Sequence, residues 1–209
     1  IDFTVAGFAH ETASESPAPG GGSVSAYLGA LGASLATMVA NLSSHKRGWD
    51  DRWKFFSDWA EKGQKLKDQL LFMVDEDTNA FNRIMDAFGL PKKSEADKQA
   101  RKEAIEAASK YAIEVPLKVM ELSLLSMELI EAMAEMGNPN SVSDAGVGAI
   151  CARAAVNGAF LNVKINAAGI DDRSFADQMV QKGAQVMQQA TEAERRILEK
   201  VEAIIQKQA

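Results

Sequence analysis

The sequence predicts an all-α fold, an antiparallel up-and-down bundle of long helices. Apolar residues recur every three to four positions along nearly the whole chain, as in amphipathic helices. Alternating β-branched runs bounded by turn residues, the pattern typical of strands, are almost absent. The last segment, residues 173–207, carries an apolar stripe at near-heptad spacing, which indicates packing along a partner helix.

Turn and capping residues mark where the first three helices begin and end. Thr4 can cap a short helix, and the proline- and glycine-rich segment 17–22 then interrupts the helical pattern. A helix of small residues follows, and a polar turn leads to a long helix that Gly89 and Pro91 end. These helices are expected over residues 5–15, 23–43 and 50–88.

The second half of the chain is divided in the same way. Ser94 and Asp97 have the spacing of a capping box, and Pro116 is expected to break or kink the helix that follows. Gly137 ends the next segment, and Ser143 can cap a second helix of small residues. The helices are expected over residues 94–115, 116–136, 143–168 and 173–207.

Length and composition describe an ordinary globular chain and exclude several classes of protein. The 209 residues are expected to form one domain, 1–209, with a net charge of −6 that argues against nucleic-acid binding. Cys151 is the only cysteine, and His10 and His45 are the only histidines. This inventory permits no internal disulfide and no cysteine-based zinc cluster, and it argues against a histidine-rich metal site. No signal-peptide pattern is visible, and we expect a cytoplasmic protein.

The charges are distributed unevenly. Residues 16–44 contain no charged side chain, and residues 137–170 contain only Asp144, Arg153 and Lys164. The first stretch is long enough to span a membrane, but its Ala, Gly, Ser and Thr content favours a helix surrounded by other helices. Rows of small side chains let backbones approach closely, so we expect these two helices to cross in the bundle or at a dimer centre.

Two loops lead into these small-residue helices and are candidates for ligand binding. Free backbone N–H groups at a helix N-terminus favour an anion or a carbonyl oxygen, and glycine lets a ligand approach the backbone. Asp144 is a lone carboxylate in the first turn of the second small-residue helix and is a candidate acid or base. The other loop candidates are Pro19, Gly20, Gly21, Gly22 and Ser23, and Asn138, Asn140 and Ser143.

Polar residues within the helices add further candidates. Asn162 and Asn166 are four residues apart and therefore share a face, where they bond to each other or to a ligand. Asp77 lies in a polar cluster of the long helix together with Asn82, although a solvated face is the common explanation of such a cluster. Lys46 follows the first small-residue helix and could meet an anionic ligand.

Several motifs together resemble the formiminotransferase-cyclodeaminase C-terminal-domain family. They are the segments 17–24, 28–33, 75–77, 137–147 and 158–166, and the resemblance extends over essentially the whole chain. It implies an all-helical homodimer or higher homo-oligomer that acts on tetrahydrofolates. One activity of the family is cyclodeamination of 5-formiminotetrahydrofolate to 5,10-methenyltetrahydrofolate and ammonia, in histidine degradation. The other is the cyclohydrolysis of methenyltetrahydrofolate in one-carbon metabolism.

We favour the cyclodeaminase from the sequence because the chain starts at Ile1, as the C-terminal part of a longer bifunctional chain would. The expected partners are then a folate with or without a polyglutamate tail, a second copy of the chain, and a fused or associated formiminotransferase domain. The cyclohydrolase remains the alternative enzyme. An alternative of another class is a helical module that only dimerises.

The resemblance also implies roles for the candidate residues. Asp144 is the first choice and Asp77 the second for proton transfer, with the assignment of acid and base left open. The glycine loop and the asparagine loop would position the pterin, and Lys46 and Lys164 would meet the glutamate tail. Neither a metal nor a redox cofactor is needed for this chemistry.

Overall fold

The computed structural model describes residues 3–208, and over these residues the chain forms helices and no strand. The predicted all-α class is therefore confirmed. Two short 3-10 turns, Asp50–Arg52 and Pro139–Ser141, precede the third and fifth helices. The helices are α1 (Val5–Thr12), α2 (Gly21–Ser44), α3 (Trp53–Gly89), α4 (Glu95–Met136), α5 (Val142–Ala168) and α6 (Arg173–Gln208).

Two of the predicted N-caps are present, at the starts of α1 and α4. The Thr4 hydroxyl accepts a hydrogen bond from the Gly7 N–H at 3.0 Å and begins α1. Ser94 and Asp97 form a reciprocal capping box, with bonds of 2.9 and 3.1 Å, and begin α4. The prediction for Ser143 is wrong, because the Pro139–Ser141 turn already leads into α5 and places Ser143 inside its first turn, exposed.

Pro116 does not divide its helix in two, so the predicted break between residues 115 and 116 is wrong. Helix α4 continues from Glu95 to Met136, and Pro116 is buried within it. Proline cannot donate to the carbonyl four residues earlier, which leaves the Ala112 oxygen without its helical partner. The Asn166 side chain on α5 donates a hydrogen bond of 2.7 Å to that oxygen. A tertiary contact therefore supplies the bond that proline removes.

Helices α2 and α5 cross in backbone contact, as the small residues predict. A β-carbon on Gly32 would lie 2.8 Å from the Gly148 carbonyl oxygen and 3.1 Å from the Ala152 nitrogen. Gly21, which comes before Gly32 on α2, faces Asn162, which comes after Gly148 on α5. The two helices therefore run in opposite directions. Helix α2 thus lies at the centre of the bundle, between α3, α4 and α5.

The enclosure of α2 accounts for its lack of charge. Its inward side consists mostly of alanines that are 0–2% exposed, namely Ala26, Ala30, Ala33, Ala36 and Ala40. Helix α2 and the segment Pro139–Ala168 are both long and apolar enough to cross a membrane by length and composition. The bundle buries 61% of the most apolar stretch of α2 and 44% of that of the second segment. A helix in the core of a bundle can be as long and as apolar as these two.

The Gly32 contact gives a test of this packing. Gly32→Ala should lower the free energy of unfolding by about 1–3 kcal/mol, because the added methyl group meets backbone that can move only if the helices separate. Gly89→Ala is the matched control, since a β-carbon there meets no atom within 4 Å. Urea denaturation measures both variants. Equal stability of the two variants would contradict the assigned contact.

Candidate functional site

The glycine loop and Asp77 meet at the N-terminus of α2. The Ser23 N–H donates a hydrogen bond of 2.8 Å to Asp77 Oδ2. The Ser23 hydroxyl lies 2.9 Å from the same oxygen and 3.0 Å from the Val74 carbonyl oxygen, and shares its proton between them. The helix terminus predicted to bind a ligand anion therefore holds a carboxylate of the chain itself.

Gly22 permits this approach. A β-carbon on Gly22 would lie 2.7 Å from Asp77 Oδ2 and 2.5 Å from its carboxyl carbon, far inside van der Waals contact. Only a residue without a side chain leaves room for the carboxylate at this point. The glycine of the loop thus determines where Asp77 sits.

The surroundings of Asp77 favour a carboxyl group that can hold a proton. Burial raises the pKa of the Asp77 carboxyl above its usual range, and the two hydrogen bonds from Ser23 partly offset this effect. A carboxyl that exchanges its proton nearer to neutral pH is suited to general acid–base chemistry.

Helix α5 brings Asn162 to the same place. The Asn162 Nδ2 lies 3.5 Å from the position of a β-carbon on Gly21, and it donates a hydrogen bond of 3.0 Å to the Gly158 carbonyl oxygen. Gly21, Ser23, Asp77 and Asn162 therefore converge at one end of the bundle. We call these four residues the Asp77 site.

A second group of candidates lies at the other end of α2. The Asn138 N–H donates to the Ser43 hydroxyl at 2.8 Å, and the Lys46 ammonium donates to Asn138 Oδ1 at 3.2 Å. Lys46 also lies 4.1 Å from the centre of the Trp49 ring. We call this group, together with Asn140, Ser143 and Asp144 at the start of α5, the Asp144 group.

The two groups are separated by the length of α2. Its 24 residues span about 35 Å at the usual helical rise. Asp77 and Asp144 therefore cannot flank the same reacting carbon within one chain, nor can Lys46 and Lys164 hold the same carboxylate there. The antiparallel pairing of α2 and α5 is the reason, because it places the start of α5 beside the end of α2.

The remaining predicted residues take other positions. Asn166 donates to the Ala112 oxygen beside Pro116 and so supports α4. Lys164 is exposed, with its ammonium 4.7 Å from the Phe160 ring centre. Asn82 is exposed on α3, five residues after Asp77. Arg153 forms an ion pair of 3.8 Å with Glu194 of α6.

One polar cluster beside the Asp77 site was given no role from the sequence. The Tyr111 hydroxyl donates a short hydrogen bond to Glu76, whose carboxylate also accepts from Asn79 at 2.8 Å. These two bonds lower the pKa of Glu76, that from Asn79 most strongly, while the bond to Glu76 raises the pKa of the Tyr111 hydroxyl. The Arg83 guanidinium lies 4.1 Å from the Tyr111 ring centre. No local pattern links Glu76 to Tyr111, which lies 35 residues later on α4.

Two adjoining cavities lie beside the Asp77 site, beneath α1. One has a volume of about 310 Å³ and is walled by aromatic residues of α1, α2 and α3. The other, of about 360 Å³, extends to Pro19 and Thr78. Both share Phe3, Phe8 and Asp75 in their walls. Within residues 3–208, no group of three or more His, Cys, Asp or Glu side chains is placed to hold a metal ion.

Comparison with known proteins gives consistent similarities. The family model described as formiminotransferase-cyclodeaminase matches residues 4–204. A methenyltetrahydrofolate cyclohydrolase of Methylorubrum extorquens is 38% identical over 200 residues, which cover 96% of each chain. A mouse formimidoyltransferase-cyclodeaminase is 31% identical over 203 residues, and the match covers 97% of this chain but 38% of the mouse protein. The crystal structure of a formiminotetrahydrofolate cyclodeaminase from Thermotoga maritima has a TM-score of 0.86, 28% identity and 98% coverage of both chains.

The raised pKa of Asp77 predicts a pH-dependent difference between the wild type and Asp77→Asn. When pH rises from about 4 towards neutral, the unfolded wild type loses its Asp77 proton before the native state does. The free energy of unfolding of the wild type therefore falls over this range as Asp77 loses its proton. The Asp77→Asn variant has no carboxyl proton to lose there, so it has no such fall. The free energy of unfolding of Asp77→Asn, relative to the wild type, should increase over this range in urea titrations.

Ser23→Ala provides the comparison for that measurement. It removes the hydroxyl that stabilises the ionised carboxylate, so the pKa of Asp77 should rise further and the pH trend should extend to higher pH. A stability difference between Asp77→Asn and the wild type that is constant with pH would contradict the assigned environment of Asp77.

Proposed function

We propose that this chain, which belongs to the formiminotransferase-cyclodeaminase family, hydrolyses 5,10-methenyltetrahydrofolate to 10-formyltetrahydrofolate. The main support is its similarity to the Methylorubrum cyclohydrolase along 96% of both chains. The sequence analysis favoured the cyclodeaminase from the Ile1 start, but the position of a chain start carries no weight beside similarity along the full length.

Cyclodeamination of 5-formiminotetrahydrofolate is the second candidate activity. The solved Thermotoga protein, which is similar along 98% of both chains, supports it. The animal relatives support it less directly, because this chain spans only 38% of the mouse protein. A fused or associated formiminotransferase, and a role in histidine degradation, belong to this second candidate.

The two reactions can share one site because they pass through related intermediates. In the hydrolysis, water adds to the methenyl cation and loses one proton. The resulting hydroxyl then gives up its proton as the formyl C=O forms, while the bond from that carbon to N5 breaks and N5 takes up a proton. In the deamination, N10 attacks the formimino carbon. The imino nitrogen, which already carries one hydrogen, takes up the N10 proton and one further proton and then leaves as ammonia. Each intermediate has a tetrahedral carbon bonded to both N5 and N10.

Both reactions need a group that takes up and returns a proton beside that carbon. Asp77 fits this role best, because it is partly buried and is fixed by Ser23 in a space that Gly22 keeps open. The arrangement of Ser23 and Asp77 at the start of α2 is the structural observation that supports this role. Asn162 lies where it can bond a heteroatom of the bound folate.

We also propose that the up-and-down bundle forms a homodimer through α2 and α5. Both helices contact α4, so their exposed sides face the same direction, away from it. Those sides carry apolar residues at heptad-like spacing, 38–72% exposed. They are Leu31, Met38 and Leu42 on α2, and Val147, Ile150, Leu161 and Ile165 on α5.

An antiparallel pairing of two copies would complete the catalytic site. A two-fold axis perpendicular to α2 and α5 places the start of one α2 beside the end of the other. The partner's Asp144 then approaches Asp77, and the partner's Lys46 approaches Lys164 and a glutamate tail. In this arrangement both predicted carboxylates act on one folate, although a single chain holds them about 35 Å apart.

The proposal includes the other properties expected from the sequence. The folate derivative is the substrate, and we assign no metal or redox cofactor to the reaction. Because the bundle buries one side of α2 and of α5 and the partner would cover the other, we place the protein in the cytoplasm, not in a membrane.

Turnover distinguishes the candidate functions directly. Purified protein is mixed with 5,10-methenyltetrahydrofolate or with 5-formiminotetrahydrofolate, and the methenyl absorbance band is followed. Rapid loss of the band with the first substrate identifies the cyclohydrolase, and its appearance with ammonia release identifies the cyclodeaminase. Asp77→Asn should lower the rate by about 10²–10⁴-fold, as expected for loss of a general acid–base group. No turnover of either substrate, with no heat of folate binding, would favour the dimerisation module.

Mixed dimers test the shared site. Asp77→Asn and Asp144→Asn homodimers should each be inactive if both carboxylates are required. Unfolding and refolding the two variants together gives heterodimers with one intact site each, so about a quarter of the wild-type activity should return. Inactive mixtures would show that each site belongs to one chain, provided that tagged copies have exchanged. Full activity of Asp144→Asn alone would remove Asp144 from the mechanism.

A further inference from the structure

We propose that the aromatic cavities beneath α1 bind the pteridine ring of the folate, and this inference rests on the proposed function. The two cavities share the walls formed by Phe3, Phe8 and Asp75, and form one groove between α1 and the α2–α3 pair. Their volumes, about 310 and 360 Å³, are in the usual range for small-molecule pockets.

The groove adjoins the proposed reacting carboxylate. Thr78 lines its inner end, and the Thr78 hydroxyl lies 3.5 Å from the Ser23 hydroxyl, which bonds Asp77. Pro19, at the start of the glycine loop, lines the same end. A ring in the groove would therefore have its edge near Asp77, which is where N5 of a folate, a ring atom, must lie for either reaction.

The walls suit a flat heteroaromatic ring. Phe8 and Tyr27 contact each other in one wall, with ring centres 5.4 Å apart and ring planes tilted by 52°. Phe3 and Phe72 complete the outer part of the groove. Aromatic walls interact with planar ligands by stacking and edge contacts, which are worth about 0.5–1.5 kcal/mol beyond the area they bury.

The charge of the groove selects the pteridine end of the substrate over the glutamate end. Asp75 lines both cavities and Glu11 lines the inner one, while the described residues of the two walls include no lysine or arginine. The carboxylates of a glutamate tail would be repelled there. The aminopyrimidine edge of a pteridine carries no carboxylate and is not repelled in this way.

Helix α1 supplies one wall and only borders the core, against which Phe8 packs. None of its residues is fully buried, and Phe8 is half-buried against Tyr27. Substitutions in this wall should therefore change ligand binding with little effect on the fold of the bundle.

Fragment binding tests the assignment. 6-Methylpterin and p-aminobenzoylglutamate represent the two ends of a folate, and pterin fluorescence and calorimetry measure their affinities. Phe8→Ala should weaken 6-methylpterin binding by about 3- to 10-fold, the loss expected for one aromatic contact. It should leave the affinity for p-aminobenzoylglutamate unchanged, and raise the KM of the folate more than it lowers kcat.

Two further variants separate ring contact from a structural effect. Phe8→Leu keeps apolar packing against Tyr27, and it should still weaken 6-methylpterin because the ring is absent. Phe88→Ala removes an exposed ring at the C-terminal end of α3 that lines neither cavity, and it should leave both fragments and turnover unchanged. Unchanged 6-methylpterin affinity in Phe8→Ala, or weaker p-aminobenzoylglutamate binding instead, would overturn the assignment. If the wild type turns over neither folate, the proposed function itself fails, whatever the fragments do.

Discussion

The close contact of α2 and α5 is the constraint on which the rest of the structure depends. Gly32 and Gly148 bring the two backbones together, and the alanine rows on both sides keep them in contact. Glycine within a helix costs about 1 kcal/mol relative to alanine, and this contact offsets the cost. Because the side chains of α2 are small, α3, α4 and α5 can all pack against it. Residues from several helices therefore come together at each end of α2.

Where the helices come together, polar groups of one helix form hydrogen bonds with polar groups of another. Asp77 of α3 takes two hydrogen bonds from Ser23 at the start of α2, and Asn166 of α5 bonds the Ala112 oxygen that Pro116 leaves free in α4. A buried polar group without a partner would cost about 1–3 kcal/mol, so such pairs specify how the helices align. Asn166 shows that a polar residue in a core helix can serve the fold, whereas Asp77 combines a fixed position with a raised pKa.

The charge distribution of the molecule agrees with an elongated substrate that has unlike ends. The groove beneath α1 is aromatic and acidic, while Lys46, Trp49 and Arg52 form a basic surface at the other end of α2. The proposed antiparallel dimer would place the acidic groove of one copy and the basic surface of its partner on either side of Asp77. A folate has a pteridine ring without carboxylates at one end and the glutamate carboxylates at the other, and it matches this order.

The sequence by itself determined the helical class, most helix boundaries and the small-residue contact. These features depend on interactions between residues close in the chain, such as the Ser94–Asp97 capping box, or on a composition that only close packing explains. The effect of Pro116 could not be predicted locally, because the bond that compensates for it comes from Asn166, 50 residues later. The partners of Asp77, and its separation from Asp144, were decided by the direction in which α2, α3 and α5 pack. Two motifs adjacent to similar helices look equivalent in the sequence, but antiparallel packing places them at opposite ends of the bundle.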